Sequence, residues 1–201
     1  MKVITVSHLK GGSAKTTTAG YLAHALEDLG HNVLVIDADP QGSLLRWSRR
    51  GQWTIPVRHM HGTAFANQLA GLYTDPYDYA VVDTNPHDVG QDGGQAGAMR
   101  AADIVLVPTA ATFMEAAEIR TTYAFAERAG VDPGALRILL NRAPANSVAA
   151  KDLRQVQAAA GRIVLNAQIG NRSVIAQASS GRVNPALGFG GYIGVALELT
   201  A

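Results

Sequence analysis

The octapeptide Lys10-Gly11-Gly12-Ser13-Ala14-Lys15-Thr16-Thr17 follows an apolar run, Val3 to Val6, and opens directly into a helical pattern. A short buried strand, a glycine turn and a helix leave little freedom of architecture. The glycines let the backbone reverse tightly, and the helix must then pack against the sheet that its strand joins. The first amides of such a helix have no intrahelical partner, so they gather beside the turn as a cradle for anions.

The residue types in that cradle are specific to phosphate. Gly11 and Gly12 bring backbone N–H groups close to an anion, Lys15 carries an ammonium to the outer phosphates, and Thr16 offers a hydroxyl to Mg²⁺. Ser13, Ala14 and Thr17 complete the ring of amides. The general phosphate-loop pattern places glycine six residues before and one residue before the lysine, where this chain has Leu9 and Ala14, so the generic pattern is not met.

Downstream, strand-like and helix-like segments alternate. Thr16 to Leu29 reads as a helix with Ala19, Leu22, Ala23, Leu26 and Leu29 at core spacing, ended by Gly30. Val33 to Ile36, Tyr79 to Asp83, Ile104 to Pro108, Arg137 to Asn141 and Ile163 to Ala167 read as strands, with Ile55 to Met60 a further candidate. Helices are expected at Gly42 to Arg50, Thr63 to Leu72, Glu115 to Ala129 and Val148 to Ala160, with two more after them. The expected fold is α/β: a single doubly wound, mostly parallel sheet flanked by helices, one domain over residues 1–201, with ligands at the carboxyl ends of the strands.

Two acidic motifs fall at those ends. Asp37 and Asp39, in Asp37-Ala38-Asp39-Pro40-Gln41, sit two residues apart as a strand runs out, where both carboxylates point to one side. They suit a water or a magnesium shell, although a plain Asp-Pro turn gives the same pattern. Asp83 closes the apolar run Tyr79 to Val82 and precedes Thr84-Asn85-Pro86. A carboxylate there is costly to bury without a cation or donors.

The loop, apart from one residue, resembles the deviant phosphate loop of the ParA/MinD family of ATPases: lysine, two glycines, any residue, glycine, lysine, threonine. That resemblance implies ATP and Mg²⁺ as cofactors and gives the two lysines separate roles. Lys15 is the ordinary phosphate-loop lysine, and Lys10 is the signature lysine that reaches a partner's nucleotide across a dimer interface. Ala14 replaces the family glycine, a change that costs little at negative φ and more at positive φ. Asp37 to Gln41 resembles the Walker A-prime motif, which implies that Asp37 orients the attacking water and that Asp39 supports magnesium coordination or the switch conformation; Asp37 is also a candidate metal ligand. Asp83 then takes the Walker B role with Thr16, and Asn85 stands where the family has the first of two prolines. The loop from His87 to Gly97 is the expected switch. Ile138 to Arg142 resembles the family's adenine-reading segment, with Asn141 and Arg142 at the base, although Asn141 could equally satisfy backbone groups at a strand end. Ile169 to Ser173 with Gly181 resembles the stretch before the last helices of small ParA proteins, making Arg172 and Arg182 candidates for DNA or dimer contacts.

Composition narrows the function. The chain has no cysteine, which excludes disulfides, thiolate zinc sites and the iron–sulfur branch of this superfamily. No apolar run approaches the ~18 residues needed to span a bilayer, and the chain begins with a strand, so a cytoplasmic protein is expected, and the resemblance implies association with the nucleoid. The first strand begins at residue 3, so no amino-terminal helix-turn-helix extension is expected, and the last eleven residues carry no Lys or Arg, unlike MinD-type membrane helices. Residues 1–136 hold 10 Lys/Arg against 14 Asp/Glu, and residues 137–201 hold 7 against 2, so charge runs from −4 to +5 along the chain. His59 and His61 alternate on a candidate strand without a third ligand spaced to complete a transition-metal site.

By the resemblance, the expected function is an ATP-dependent dimerising switch of the partition type. It forms a homodimer on ATP, binds DNA non-specifically, and hydrolyses ATP slowly under stimulation by a ParB-like or small cargo-adaptor protein, with no membrane partner. The alternatives are an ATP-dependent carboxylate-activating ligase of the same superfold, of the dethiobiotin or cobyrinic acid amide type, and a nucleotide-binding scaffold without turnover.

Overall fold

The computed structural model describes residues 1–62, 64–86, 94–144, 147–172, 175 and 181–201. Seven strands form one sheet in the order β3-β2-β4-β1-β5-β6-β7: β1 Lys2–Val6, β2 Val33–Asp37, β3 Val57–His59, β4 Tyr79–Asp83, β5 Ile104–Ala110, β6 Leu136–Asn141 and β7 Val164–Gln168. Every pairing is parallel, so the sheet is wholly and not just mostly parallel. The connecting helices are α1 Lys15–Asp28, α2 Ser43–Gly51, α3 Phe65–Ala70, α4 Gly94–Arg100, α5 Phe113–Arg128, α6 Val148–Ala159, α7 Ala186–Gly190 and α8 Tyr192–Thr200.

The apolar runs become central strands because each residue has a core to enter on its own face. Ile4, Val6, Val33, Val35 and Val81 pack beneath α1 with Leu22, Leu26 and Tyr192, whereas Val3, Leu34, Ile36, Ala80 and Val82 pack on the other face with Phe65 and Leu69. Period-two alternation thereby fixes which face each strand-end residue meets. Asp37 and Asp83 have the parity of Val35 and Val81, and both fall on the α1 side. In register Asp37 is opposite Asp83, and Asp83 is opposite Val6, so the two carboxylates end adjacent strands at the same height as the start of the glycine turn.

One element departs from the sequence expectation. Helix α4 includes Gly94 and Gly97, which the sequence places in a flexible loop; Ala96, Ala98 and Met99 are fully buried, and the Thr5 hydroxyl donates to the Ala98 carbonyl at 2.9 Å. Packing overrides the low helical propensity of glycine there. The remainder of the expected switch, residues 87–93, lies outside the described residues. At the edge strand, β7 is irregular between its pairings with Ile138 and Leu140. The Glu198 carboxylate accepts from the Asn166 and Ala167 amides at 2.8 Å each, and Arg154 donates to the Leu165 and Asn166 carbonyls, so side chains close an edge that would otherwise offer backbone for pairing.

Candidate functional site

The glycine turn sits between β1 and α1, flanked by β4 and β5 at the carboxyl end of the sheet. Gly12 adopts φ +74° and Ala14 φ +67°, and a methyl group on Gly11 or Gly12 would meet nothing within 4 Å. Gly12 is thus demanded by conformation, while the open space above Gly11 is that of a cradle. Two hollows of about 240 and 190 Å³ share Gly12 and Ala14. The first is lined also by Lys10, Ser13, Glu115, Asn141 and Arg142, the second by Lys15, Thr16, Thr17, Asp39 and Thr84. A roomier hollow of about 520 Å³ lies at the other end of the sheet around Met1, His31 and Asp78 and contains none of these residues.

Ala14 settles the conditional cost set out above: its φ is positive, in the left-handed region that penalises a Cβ by ~1–2 kcal/mol. It also occupies the N-cap of α1 without a side-chain cap. Ala14→Gly is expected to stabilise the chain by ~1 kcal/mol, because relief of that strain exceeds the added freedom of the unfolded glycine. A urea-denaturation midpoint unchanged or lowered by the substitution would contradict the strain.

The two lysines of the turn have opposite environments. Lys15 is 6 % exposed, its Nζ donates to the Lys10 carbonyl at 3.1 Å, and burial lowers its pKa to about 8 against the opposing pull of Asp83 and Asp39. Lys10 points outward, its side chain 41 % exposed, and its Nζ binds the Glu115 carboxylate of α5 at 2.5 Å. Glu115, in turn, accepts from the Thr109 hydroxyl at 3.3 Å. His8 holds the turn from below: its Nδ1 accepts the Lys10 amide at 3.0 Å, and burial, reinforced by Lys15, lowers its pKa to about 4.

Asp83 is fully buried, and neither carboxylate oxygen has a hydrogen-bond partner among the described residues. Burial pushes its pKa up to about 8; the Thr16 hydroxyl, close by but short of hydrogen-bond geometry, works in the other direction. Asp37 is equally buried, but its Oδ1 accepts the Asp39 amide at 3.1 Å and its Oδ2 the Leu45 amide at 2.8 Å. Burial raises its pKa, and those amides oppose the rise. Orphaned carboxylate oxygens beside a threonine hydroxyl and a phosphate cradle fit Mg²⁺, which takes one or two protein carboxylates and completes its shell with water and phosphate oxygens. No cluster of three or more His, Asp or Glu side chains forms a metal cage among the described residues.

These shifts make a pH prediction. For Asp83, whose pKa rises from 3.8 to about 8 on folding, the folded state binds more protons, so stability falls as pH climbs toward 8. For Lys15, lowered from 10.5 to about 8, the folded state binds fewer protons, so stability recovers above 8. His8, lowered from 6.5 to about 4, offsets the Asp83 slope below 6.5. Without nucleotide or metal, stability is expected to dip near pH 8, with a fall between pH 6.5 and 8 that Asp83→Asn removes. Urea midpoints across pH 5 to 10 test this, and a fall that persists in Asp83→Asn would refute it.

Other expected site residues are differently engaged. Asn141 lines the first hollow, but its amide nitrogen lies 3.4 Å from the Thr18 hydroxyl and 3.4 Å from that of Tyr192, while its oxygen accepts the Arg142 amide at 2.9 Å. Arg142 is exposed beside it at φ +54°. Asn85, standing where the related loops have proline, donates to Asp39 Oδ1 at 3.1 Å and joins the two acidic motifs, a bond no proline makes. No sequence signal pointed to Glu115, which lies 105 residues from the lysine it binds. Several arginines of the basic last third have local partners. Arg137 binds the Gly134 and Leu136 carbonyls, Arg154 braces β7, and Arg162 binds Gln157 and lies over the Tyr123 ring.

Comparison with known proteins follows the same outline. The AAA_31 family, described as an AAA domain, matches residues 1–48. Maintenance of carboxysome distribution protein A from Gloeobacter kilaueensis is 36% identical over 108 residues, 54% of this chain and 49% of that protein. The first curated relatives, two replication proteins A, are matched over only 11% of their length. Among solved structures, a protein described as a plasmid partition protein from Borrelia burgdorferi B31, bound to AMPPNP, superposes with TM-score 0.78 at 18% identity, covering 99% of this chain and 98% of that one. The MinD cell division protein of Aquifex aeolicus gives TM-score 0.77 at 18% identity over 100% of this chain and 97% of its own. No helix among the described residues is long and apolar enough to cross a membrane. With its lysine-bearing glycine turn, its acidic strand ends and its wholly parallel sheet, the chain has the fold of these partition and MinD proteins and is similar in sequence to positioning proteins of that kind over part of its length.

Proposed function

We propose that this protein is an ATP-driven positioning switch: ATP brings two copies together, the dimer binds DNA without sequence preference, and slow hydrolysis, stimulated by an adaptor protein on the cargo, releases it. The observation that carries this reading is the division of labour between Lys15, buried against Asp83, and Lys10, turned outward from its own cradle. An exposed second lysine on the loop is what a nucleotide shared between two copies would use.

In this reading the amides of residues 11 to 15 and the Lys15 ammonium balance the phosphate charge, and the Lys10 ammonium approaches the nucleotide of the partner subunit. Thr16 and Asp83 would hold Mg²⁺, which when bound would draw charge from the phosphate oxygens. Asp37, steadied by the Asp39 and Leu45 amides, orients the attacking water and takes up its proton. Asn141 and Arg142 stand on the base side.

The test is binding of the purified protein to DNA over a salt series with ATP and with ADP. ATP-dependent binding that weakens steeply with salt supports the reading. DNA binding indifferent to both nucleotide and salt, or no binding at all, removes it.

A further inference from the structure

Two stretches without acidic residues meet on one side of the molecule. From Gln41 to Thr74 there is no Asp or Glu, and Arg46, Arg49, Arg50 and Arg58 fall within it; from Leu153 to Leu197 there is again none. Helix α2 lies in the first stretch and Gly181-Arg182 in the second, and tertiary contacts join them. The Trp47 indole Nε1 donates to the Gly181 carbonyl at 2.8 Å, and the Arg182 guanidinium donates to Gln52 Oε1 at 2.9 Å. Averaging charge along the chain conceals this, because residues 1–136 carry a net negative charge.

The helix orders its residues by face. Leu44, Trp47, Ser48 and Gly51 are buried against α1 and the sheet, while Arg46, Arg49 and Arg50, at i, i+3 and i+4, share one exposed stripe. Arg46 reaches back over the Asp39-to-Gln41 turn, donating to the Gln41 carbonyl and, at 3.2 Å, to the Ser43 hydroxyl. Arg49 and Arg182 make no ion pair among the described residues. From Arg46 to Arg50 the helix rises ~6 Å, and phosphates recur every ~3.4 Å of axis along one DNA strand, so the stripe spans about two of them.

We propose that the exposed face of α2, with Arg182 docked at its carboxyl end, is the phosphate-backbone contact through which this protein holds duplex DNA. The inference rests on the function proposed above and locates its DNA surface. Guanidinium groups suit phosphate by their forked geometry. An anionic membrane is the poorer fit, because the apolar side of α2 is already buried and has nothing to insert. The same helix supplies the Leu45 amide that holds Asp37, so the arrangement of the nucleotide site and the placement of the stripe are mechanically joined.

The experiment compares the full chain with Arg49→Ala/Arg50→Ala, Arg182→Ala and Arg49→Lys/Arg50→Lys, all loaded with AMPPNP. Binding to a short random-sequence duplex is titrated by fluorescence anisotropy across a salt series. AMPPNP affinity and thermal unfolding are measured alongside and are expected to stay unchanged. The double alanine variant is expected to lose about tenfold or more in DNA affinity and to lower the salt slope by about two, and Arg182→Ala by about one. The lysine pair, which keeps the charge, is expected to retain most of the binding. A parent protein that binds DNA while the double alanine variant keeps its affinity and salt slope overturns the α2 surface alone. A parent protein that does not bind the duplex overturns the function as well. Binding to anionic vesicles in place of the duplex, lost in the same variants, overturns DNA as the partner.

Discussion

Lys15→Ala is expected to abolish nucleotide binding. The ammonium is 6 % exposed, enclosed between the turn and Asp83, and burial has already lowered its pKa to about 8, so it is under-solvated and best relieved by an anion. Two or three charge-assisted contacts to phosphate, at ~1.5–3 kcal/mol each, put the loss of affinity at ~100-fold or more. The substitution also leaves the orphaned Asp83 without its nearest cation, but a carboxyl of raised pKa takes a proton and stays neutral, so the fold is expected to survive. Titration with a fluorescent ATP analogue at pH 7, alongside circular dichroism, decides it. Retention of affinity within tenfold would place the phosphates elsewhere.

Lys10→Ala is expected to give a different defect. Its ammonium is turned toward Glu115 and contributes only its backbone carbonyl to Lys15, which alanine retains. The monomer should therefore bind nucleotide within a few-fold of the parent. On the function proposed above, what should disappear is ATP-dependent dimerisation, read by sedimentation with AMPPNP against ADP. To serve a partner's nucleotide Lys10 must leave Glu115, and its long side chain, already 41 % exposed, can turn without unpacking the core. Equal loss of nucleotide affinity in both lysine variants would defeat the separate roles assigned to them.

These two results differ although the lysines stand five residues apart in one loop. Position in the motif assigns their names. Their environments come from elsewhere, from Asp83 at the end of β4 for one and from Glu115 on α5 for the other.

Much of the scaffold was legible in the residues. Continuous β-branched and leucine runs such as Val33 to Ile36 have only one comfortable place, a strand covered on both faces, and the glycine turn could only join such a strand to a helix. The parity of Asp37 and Asp83 within their strands was also readable, and it set both carboxylates on the face of α1. Short-range pattern failed where packing decides. Gly94 and Gly97 read as loop residues because glycine is a poor helix former, yet Ala96, Ala98 and Met99 buried around them hold α4 together. Gly20, in the middle of α1, reads as a weak helix position. It is there because the rings of Trp47 and Trp53 lie where its Cβ would be, at 2.5 and 2.9 Å.

The residues alone determined a mostly parallel α/β sheet with a glycine turn opening a helix at the carboxyl ends of its central strands, because side-chain period, glycine freedom and buried charge are local physics. The tertiary structure decided the left-handed turn at Ala14, the Glu115 partner of Lys10, and the meeting of α2 with Gly181 and Arg182. Each of those depends on which distant segment the sheet order brings alongside, and no property of one residue or its neighbours in sequence encodes that distance.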